Sequence, residues 1–264
     1  MPQLHVLATC PGDPTVDIVA VHGLNGHPIA TFTHTPRSGR ATLWLRDLLP
    51  NKIEKCRVMS FEYDSSITSM SEGRVRDMAG SLLGLLRDKR EDAKYENTPI
   101  VFVGHSLGGI VIKQTLSLAS AKNSKFQNIS NATKGVVFFG TPHRGADAAK
   151  LGLLAKRIAG AVLRHPPARQ LKLLQTHSEG LYRINEDFLP IAPQYAIVSF
   201  YEEYAYKIWG KVIVDKDSAI MGLQHEETMM LSGTHTSMCR FSVDDSQFDP
   251  VWRRIKRAAE GPGR

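Results

Sequence analysis

The stretch Val101-Phe-Val-Gly-His-Ser-Leu-Gly-Gly-Ile110 decides the fold class. Its first half is a short apolar run of the kind that forms a buried strand, and an apolar helical pattern follows over Leu107–Ala121. Between them, Gly104-His105-Ser106-Leu107-Gly108 fits G-x-S-x-G, where a strand bends abruptly into a helix and projects a serine outward. Glycine suits such a bend because the crossing backbones leave no room for a Cβ. A structural serine in a glycine-rich turn would spell the same five residues, so the flanking strand and helix carry the weight.

Outward from that bend, short β-branched runs alternate with longer helical patterns, which predicts an α/β chain with a mostly parallel sheet. The runs are Asp17–Val21, Arg57–Phe61, Ile100–Val103, Gly135–Phe139, Ala196–Phe200 and Lys211–Val214. Most are apolar on both faces, as strands covered by helices on either side must be. Thr42–Leu49 and Glu72–Arg90 read as helices; the second gathers Val75, Met78, Ala79, Leu82, Leu83, Leu85 and Leu86 largely on one face. From about 146 to 193 the alternation breaks into two helical patterns, Ala146–Leu163 and Gln170–Phe188, separated by His165-Pro-Pro-Ala-Arg169. This insertion is either a cap over a site or a pair of ordinary helices packed on the sheet. Residues 1–264 are expected to form a single domain.

A serine hydroxyl attacks a carbonyl only when a base takes its proton. With the bend at Ser106, the base should come late in the chain. His235, in Leu-Ser-Gly-Thr-His-Thr-Ser-Met, sits in a polar loop beyond the last predicted strand; His225 is the rival, in a stretch that reads as helix. The acid that orients the imidazole should follow the preceding strand. Glu202 and Glu203 follow one strand, and Asp215 and Asp217 follow the next, with Glu202 best placed. Two backbone N–H groups should face the developing oxyanion. The Leu107 amide follows the serine, and Leu24 lies in Val21-His-Gly-Leu-Asn-Gly26 after the first buried strand. His22 has no partner at metal-ligand spacing. No metal or organic cofactor is expected.

The 264 residues contain 42% apolar and 22% charged residues, ordinary for a soluble globular protein. No run of about 18 apolar residues is present to span a bilayer. The N-terminus lacks the pattern of a secretory signal. Cys10, Cys56 and Cys239 are odd in number and widely spaced, which suits a reducing cytoplasmic or organelle interior. The net charge of +7 is scattered, which disfavours nucleic acid. Its densest cluster, Trp252–Arg264, reads as a terminal helix with a solvated basic face that could also attract acidic lipid headgroups weakly. The apolar stretch Leu151–Leu163, interleaved with Lys150, Lys156, Arg157 and Arg164, could cover a pocket, graze a membrane or pack inward.

Six blocks, VHGLNGHP, FVGHSLGG, VVFFGTPHRG, SFYEE, VIVDKDSA and THTSMCRF, occur in an order that resembles a group of lipase-like serine esterases. That group includes the serine-active-site-containing proteins and the hydrolase-like N-terminal domains of fungal NACHT and ankyrin receptor-like proteins. The resemblance covers roughly residues 15 to 255. It implies an α/β-hydrolase fold with a helical cap insertion. It also implies Ser106 as nucleophile, His235 as base, Glu202 as acid and oxyanion donors at Leu24 and Leu107. Gly140–Gly145 then serves as a scaffold turn, with His143 a candidate substrate contact. The implied substrates are carboxylic esters, often lipid acyl esters. A hydrolase-fold signalling or interaction module with little catalysis is the alternative, and oligomeric state is left open.

Overall fold

The computed structural model describes residues 1–92, 95–143, 148–163, 167–169, 172–173, 177–204 and 212–263. Seven strands build one sheet: β1 (Gln3–Ala8), β2 (Val16–Val21), β5 (Cys56–Glu62), β6 (Ile100–His105), β7 (Thr133–Phe139), β8 (Ala196–Glu202) and β9 (Glu227–Leu231). Their spatial order is β1-β5-β2-β6-β7-β8-β9; β1 runs antiparallel to β5 and every other pairing is parallel. The two-residue strands β3 (Thr33–His34) and β4 (Thr42–Leu43) pair separately.

Alternation along the strands feeds two cores. In β2, Val19 and Val21 join Met59, Phe61, Phe102 and Ile110 on one face of the sheet. Ile18 and Ala20 join Trp44, Phe139 and Phe200 on the other. Full burial of each such side chain stabilises by about 1.5–3 kcal/mol. The first core is covered by α2 (Glu72–Asp92), α3 (Gly108–Ser120), α5 (Ala148–Val162) and α6 (Ser178–Phe188); α4 (Gln127–Ala132) packs beside α3. The second lies under α1 (Trp44–Asp47) and the terminal helix α8 (Phe248–Ala258), with α7 (Lys216–Ala219) near the end of β8. Trp44 anchors it, edge-on to Phe241 at 5.6 Å, while its indole N–H donates to the Cys239 carbonyl at 2.9 Å.

Five predicted strands are present, each extended by one or two residues in total. The sixth is not. Ile213 and Val214 are buried outside any strand, and Lys211 lies outside the described residues. The Val214 N–H donates to the Glu202 carboxylate at 2.7 Å, so a side chain takes the bond a neighbouring strand would have taken. The strand that completes this edge is Glu227–Leu231, in the region read as helix, and His225 stands in a turn before it. Its alternating burial marks a half-covered edge strand. The Thr42–Leu49 helix shrinks to Trp44–Asp47, because Thr42 and Leu43 pair with β3.

In the insertion, Leu151, Leu154, Ala155, Ile158 and Ala159 of α5 are buried, as are Leu181, Ile184 and Phe188 of α6. Most of these belong to the first core, so the apolar stretch packs inward. The segment starts at Ala146 and Gln170, together with Arg164-His165-Pro166, lie outside the described residues. The terminal helix turns Phe248, Val251 and Ile255 inward; Arg254 and Arg257 pair with Glu227, and Arg253 with Asp249. No described helix is long and apolar enough to cross a membrane.

Candidate active site

β6 ends at His105 and α3 begins at Gly108, so the intervening bend is as tight as the sequence requires. Ser106 adopts φ 54°, a left-handed conformation that costs a non-glycine residue about 1–3 kcal/mol and persists only when neighbours enforce it. Here its N–H donates to the Phe139 carbonyl at 2.8 Å, and its carbonyl accepts from the Thr141 hydroxyl at 2.9 Å. Two glycines permit the close approach. A Cβ on Gly108 would collide with the Val21 and His22 carbonyls, and one on Gly23 would lie 2.8 Å from the Ser106 Cβ.

His235 stands four residues beyond β9, and its Nε2 accepts from the Ser106 hydroxyl at 2.8 Å. The other ring nitrogen, Nδ1, lies 3.3 Å from Glu202 Oε1, close enough to form an ion pair once the imidazole is protonated but outside hydrogen-bond alignment. Glu202 closes β8, and its Oε1 is fixed by the Val214 N–H; Oε2 has no partner among the described residues. The structure therefore brings Ser106, His235 and Glu202 into one line. The rivals sit elsewhere. Asp215 caps α7 by accepting from the Ser218 N–H, Glu203 accepts from the Ser232 hydroxyl, and Asp217 and His225 are exposed.

Among the described residues, neither the Leu24 nor the Leu107 N–H donates to any acceptor. Buried amides without acceptors are rare because each costs about 1–3 kcal/mol, and here two stand beside one serine. Ser106 keeps 1% of its surface exposed and His235 none. A cavity of about 140 Å³, lined by Gly23, Leu24, His105, Thr236 and Arg240, adjoins them.

His105 escapes the sequence reading altogether, and His22 enters it only as a candidate metal ligand. His105 donates from Nε2 to the His235 carbonyl at 2.8 Å and so steadies the loop that carries the imidazole. Burial, reinforced by His235, pushes its pKa down to about 3, which keeps it neutral. The variable position of G-x-S-x-G gives no hint of this. His22 hydrogen-bonds the Gly23 carbonyl through Nδ1 and stacks on Tyr63 at 4.4 Å; burial lowers its pKa to about 4. It shapes the loop before Leu24. His143 is buried edge-on against Phe138, with its N–H on the Ser218 carbonyl at 2.7 Å. It lines a separate cavity rather than the one beside Ser106. Among the described residues, no three His, Cys, Asp or Glu side chains form a metal-binding group.

A sharp serine bend on a mostly parallel sheet, with helices on both faces, defines an α/β hydrolase. The chain belongs to the family described as "Putative serine esterase (DUF676)", whose model matches residues 16–159. It is 27% identical over 253 residues to Protein SERAC1 of Bos taurus, a match covering 87% of this chain and 37% of that protein. The chain thus spans well under half the length of that relative. Among solved structures, it resembles the Bacillus licheniformis lipase BlEst2 with a TM-score of 0.57 at 16% identity, covering 94% of this chain and 97% of that one. It also resembles MGS-MChE2, an α/β hydrolase from a lagoon-sediment metagenome in Morocco, with a TM-score of 0.53 at 16% identity, covering 97% and 96%.

Proposed function

We propose that this chain hydrolyses carboxylic acyl esters through an acyl-enzyme on Ser106. The carrying observation is the 2.8 Å contact between Ser106 Oγ and His235 Nε2, made across 129 residues of chain beside two acceptor-free amides. His235 takes the proton as Ser106 attacks the ester carbonyl, and Glu202 stabilises the resulting imidazolium. The Leu24 and Leu107 N–H groups receive the oxyanion. The tetrahedral intermediate collapses as His235 protonates the leaving alcohol. Water, deprotonated by His235, then attacks the acyl-enzyme; collapse releases the acid and returns the proton to Ser106.

The adjoining cavity of about 140 Å³ has room for roughly five water-sized groups at ~30 Å³ each. That volume matches a short acyl chain, and longer lipid chains fit only as the rim widens. Lipid esters stay within the proposal because a lipase shares the fold. The described structure records Cys10, Cys56 and Cys239 as free, in keeping with a reducing cytoplasmic or organelle setting. The test is hydrolysis of p-nitrophenyl esters from acetate to laurate. His235→Ala should lower kcat/KM by about 10³-fold or more with little change in thermal midpoint. Retention of a tenth of the activity would remove His235 from the proposed role.

A further inference from the structure

A buried ammonium group is ordinarily paired with a carboxylate, because desolvation penalises an isolated charge heavily. Lys113 departs from that rule. It lies seven residues after Ser106 on α3, is 1% exposed, and donates from Nζ to Asn185 Oδ1 at 2.6 Å. Nζ also stands 5.7 Å from the centroids of the Phe138 and Phe188 rings. It enters none of the ion pairs among the described residues. Burial lowers its pKa to about 7, against the weaker opposing fields of Glu226 and Glu186.

Lys113 does not face solid packing. With His143, Tyr182, Asn185, Leu189 and Met221 it lines a cavity of about 220 Å³, room for roughly seven water-sized groups at ~30 Å³ each. The exposed Glu186 also lines it, while Glu226 is engaged with the Met221, Gly222 and Leu223 N–H groups. The lining combines the Lys113 amine, the Asn185 carboxamide and the His143 imidazole with the apolar surfaces of Tyr182, Leu189 and Met221, and its one carboxylate, on Glu186, is exposed. A phosphate dianion seeks several cationic donors and no aliphatic wall. A monoanion with an alkyl tail fits both parts of this lining. The cavity also shares a turn with the serine site: the Thr141 hydroxyl holds the Ser106 carbonyl, and Asn185 Nδ2 donates to the Pro142 carbonyl at 3.4 Å.

We propose that this cavity binds a short aliphatic carboxylate, its oxygens on Lys113 Nζ and its chain against Leu189 and Met221. The carboxylate is either the far end of a dicarboxylic half-ester substrate or the free acid released by hydrolysis; both sources rest on the esterase reading, whereas binding itself does not. An anion seated on Lys113 stabilises the ammonium form, so binding above neutral pH takes up a proton.

Calorimetry at pH 8 with hexanoate and hexan-1-ol tests this directly, in buffers of differing ionisation enthalpy. Wild-type protein should bind hexanoate with proton uptake, and at least tenfold more tightly than hexan-1-ol. Lys113→Met should weaken hexanoate tenfold or more. Asn185→Asp should do likewise by supplying an internal carboxylate, and it serves as the second variant if Lys113→Met fails to fold. Equal affinity for acid and alcohol, no hexanoate binding at millimolar concentration, or unchanged affinity in both folded variants would overturn the proposal. Turnover of monoethyl adipate against ethyl hexanoate separates the sources. A preference for the half-ester that falls in Lys113→Met assigns the cavity to substrate; an unchanged preference alongside lost hexanoate binding assigns it to released acid. Calorimetry needs no turnover, so an inactive protein would contradict the esterase reading without touching the binding result.

Discussion

The two ends of the central strands bury polar groups in opposite ways. At the start of β2, Asp17 is fully buried and its carboxylate accepts from Arg57 Nε and Nη2 at 2.7 and 2.8 Å, and from Arg90 Nη1. Arg57 Nη1 and Arg90 Nη2 continue onto backbone carbonyls, leaving Arg90 Nε as the one nitrogen of the two guanidinium groups without a partner among the described residues. At the opposite end, two amides, Glu202 Oε2 and His235 Nδ1 lack hydrogen-bond partners among the described residues. Charges that are paired on nearly every side specify and hold a structure. Groups left waiting around a strained serine are arranged for something that arrives. The first end is scaffold; the second is proposed chemistry.

The sharpest way to break that contrast is to change the second end without disturbing the fold. Glu202→Gln keeps an acceptor for the Val214 N–H but removes the charge facing His235. It should lower kcat by roughly 10²–10⁴-fold on a p-nitrophenyl ester. Asp215→Asn should leave kcat within about threefold, since asparagine caps α7 as well as aspartate does. Equal losses in the two variants would mean the acid has been misplaced.

At the scaffold end the effect should fall on stability instead. Asp17→Asn leaves Arg57 and Arg90 as uncompensated buried charges and should cost about 3–5 kcal/mol in urea unfolding. Protein that remains folded at low temperature should keep its kcat. A stable but inactive Asp17→Asn would erase the distinction between the two ends.

An effect of smaller size per residue is expected in mild acid. His22 and His105 have folded-state pKa values of about 4 and about 3, below the ordinary 6.5. The unfolded chain therefore binds more protons between these limits. Their contribution is complete above pH 6.5 and is lost as pH falls toward 4, on the order of 3 kcal/mol from each. Urea midpoints between pH 7 and 4.5 measure this, and His105→Gln should flatten the slope. An unchanged slope in that variant would show that His105 is protonated at little cost.

The same contrast between covered and exposed surroundings governs what could be read from the sequence. β2, β5, β6, β7 and β8 were legible because helices cover both faces and the runs are mostly apolar on both sides. The edge strands β1 and β9 were not, since Gln3, His5, Glu227 and Thr228 give a mixed pattern where one side meets solvent. The predicted strand Lys211–Val214 misled for the converse reason: Ile213 and Val214 are buried β-branched residues, but the Val214 N–H bonds a side chain. Ser106, His235 and Glu202 could be nominated because chain order constrains them, and the structure places them in contact. The bond from His105 to the His235 carbonyl and the isolation of Lys113 depend on which residues meet across 130 and 72 positions, respectively. No local pattern encodes those meetings.

The most direct test of the account is active-site labelling with a fluorophosphonate, located by peptide mass spectrometry. Wild-type protein should gain one adduct on Ser106, and Ser106→Ala should gain none under the same conditions. Wild-type protein that takes no label, or an alanine variant that still takes it, would contradict Ser106 as the nucleophile.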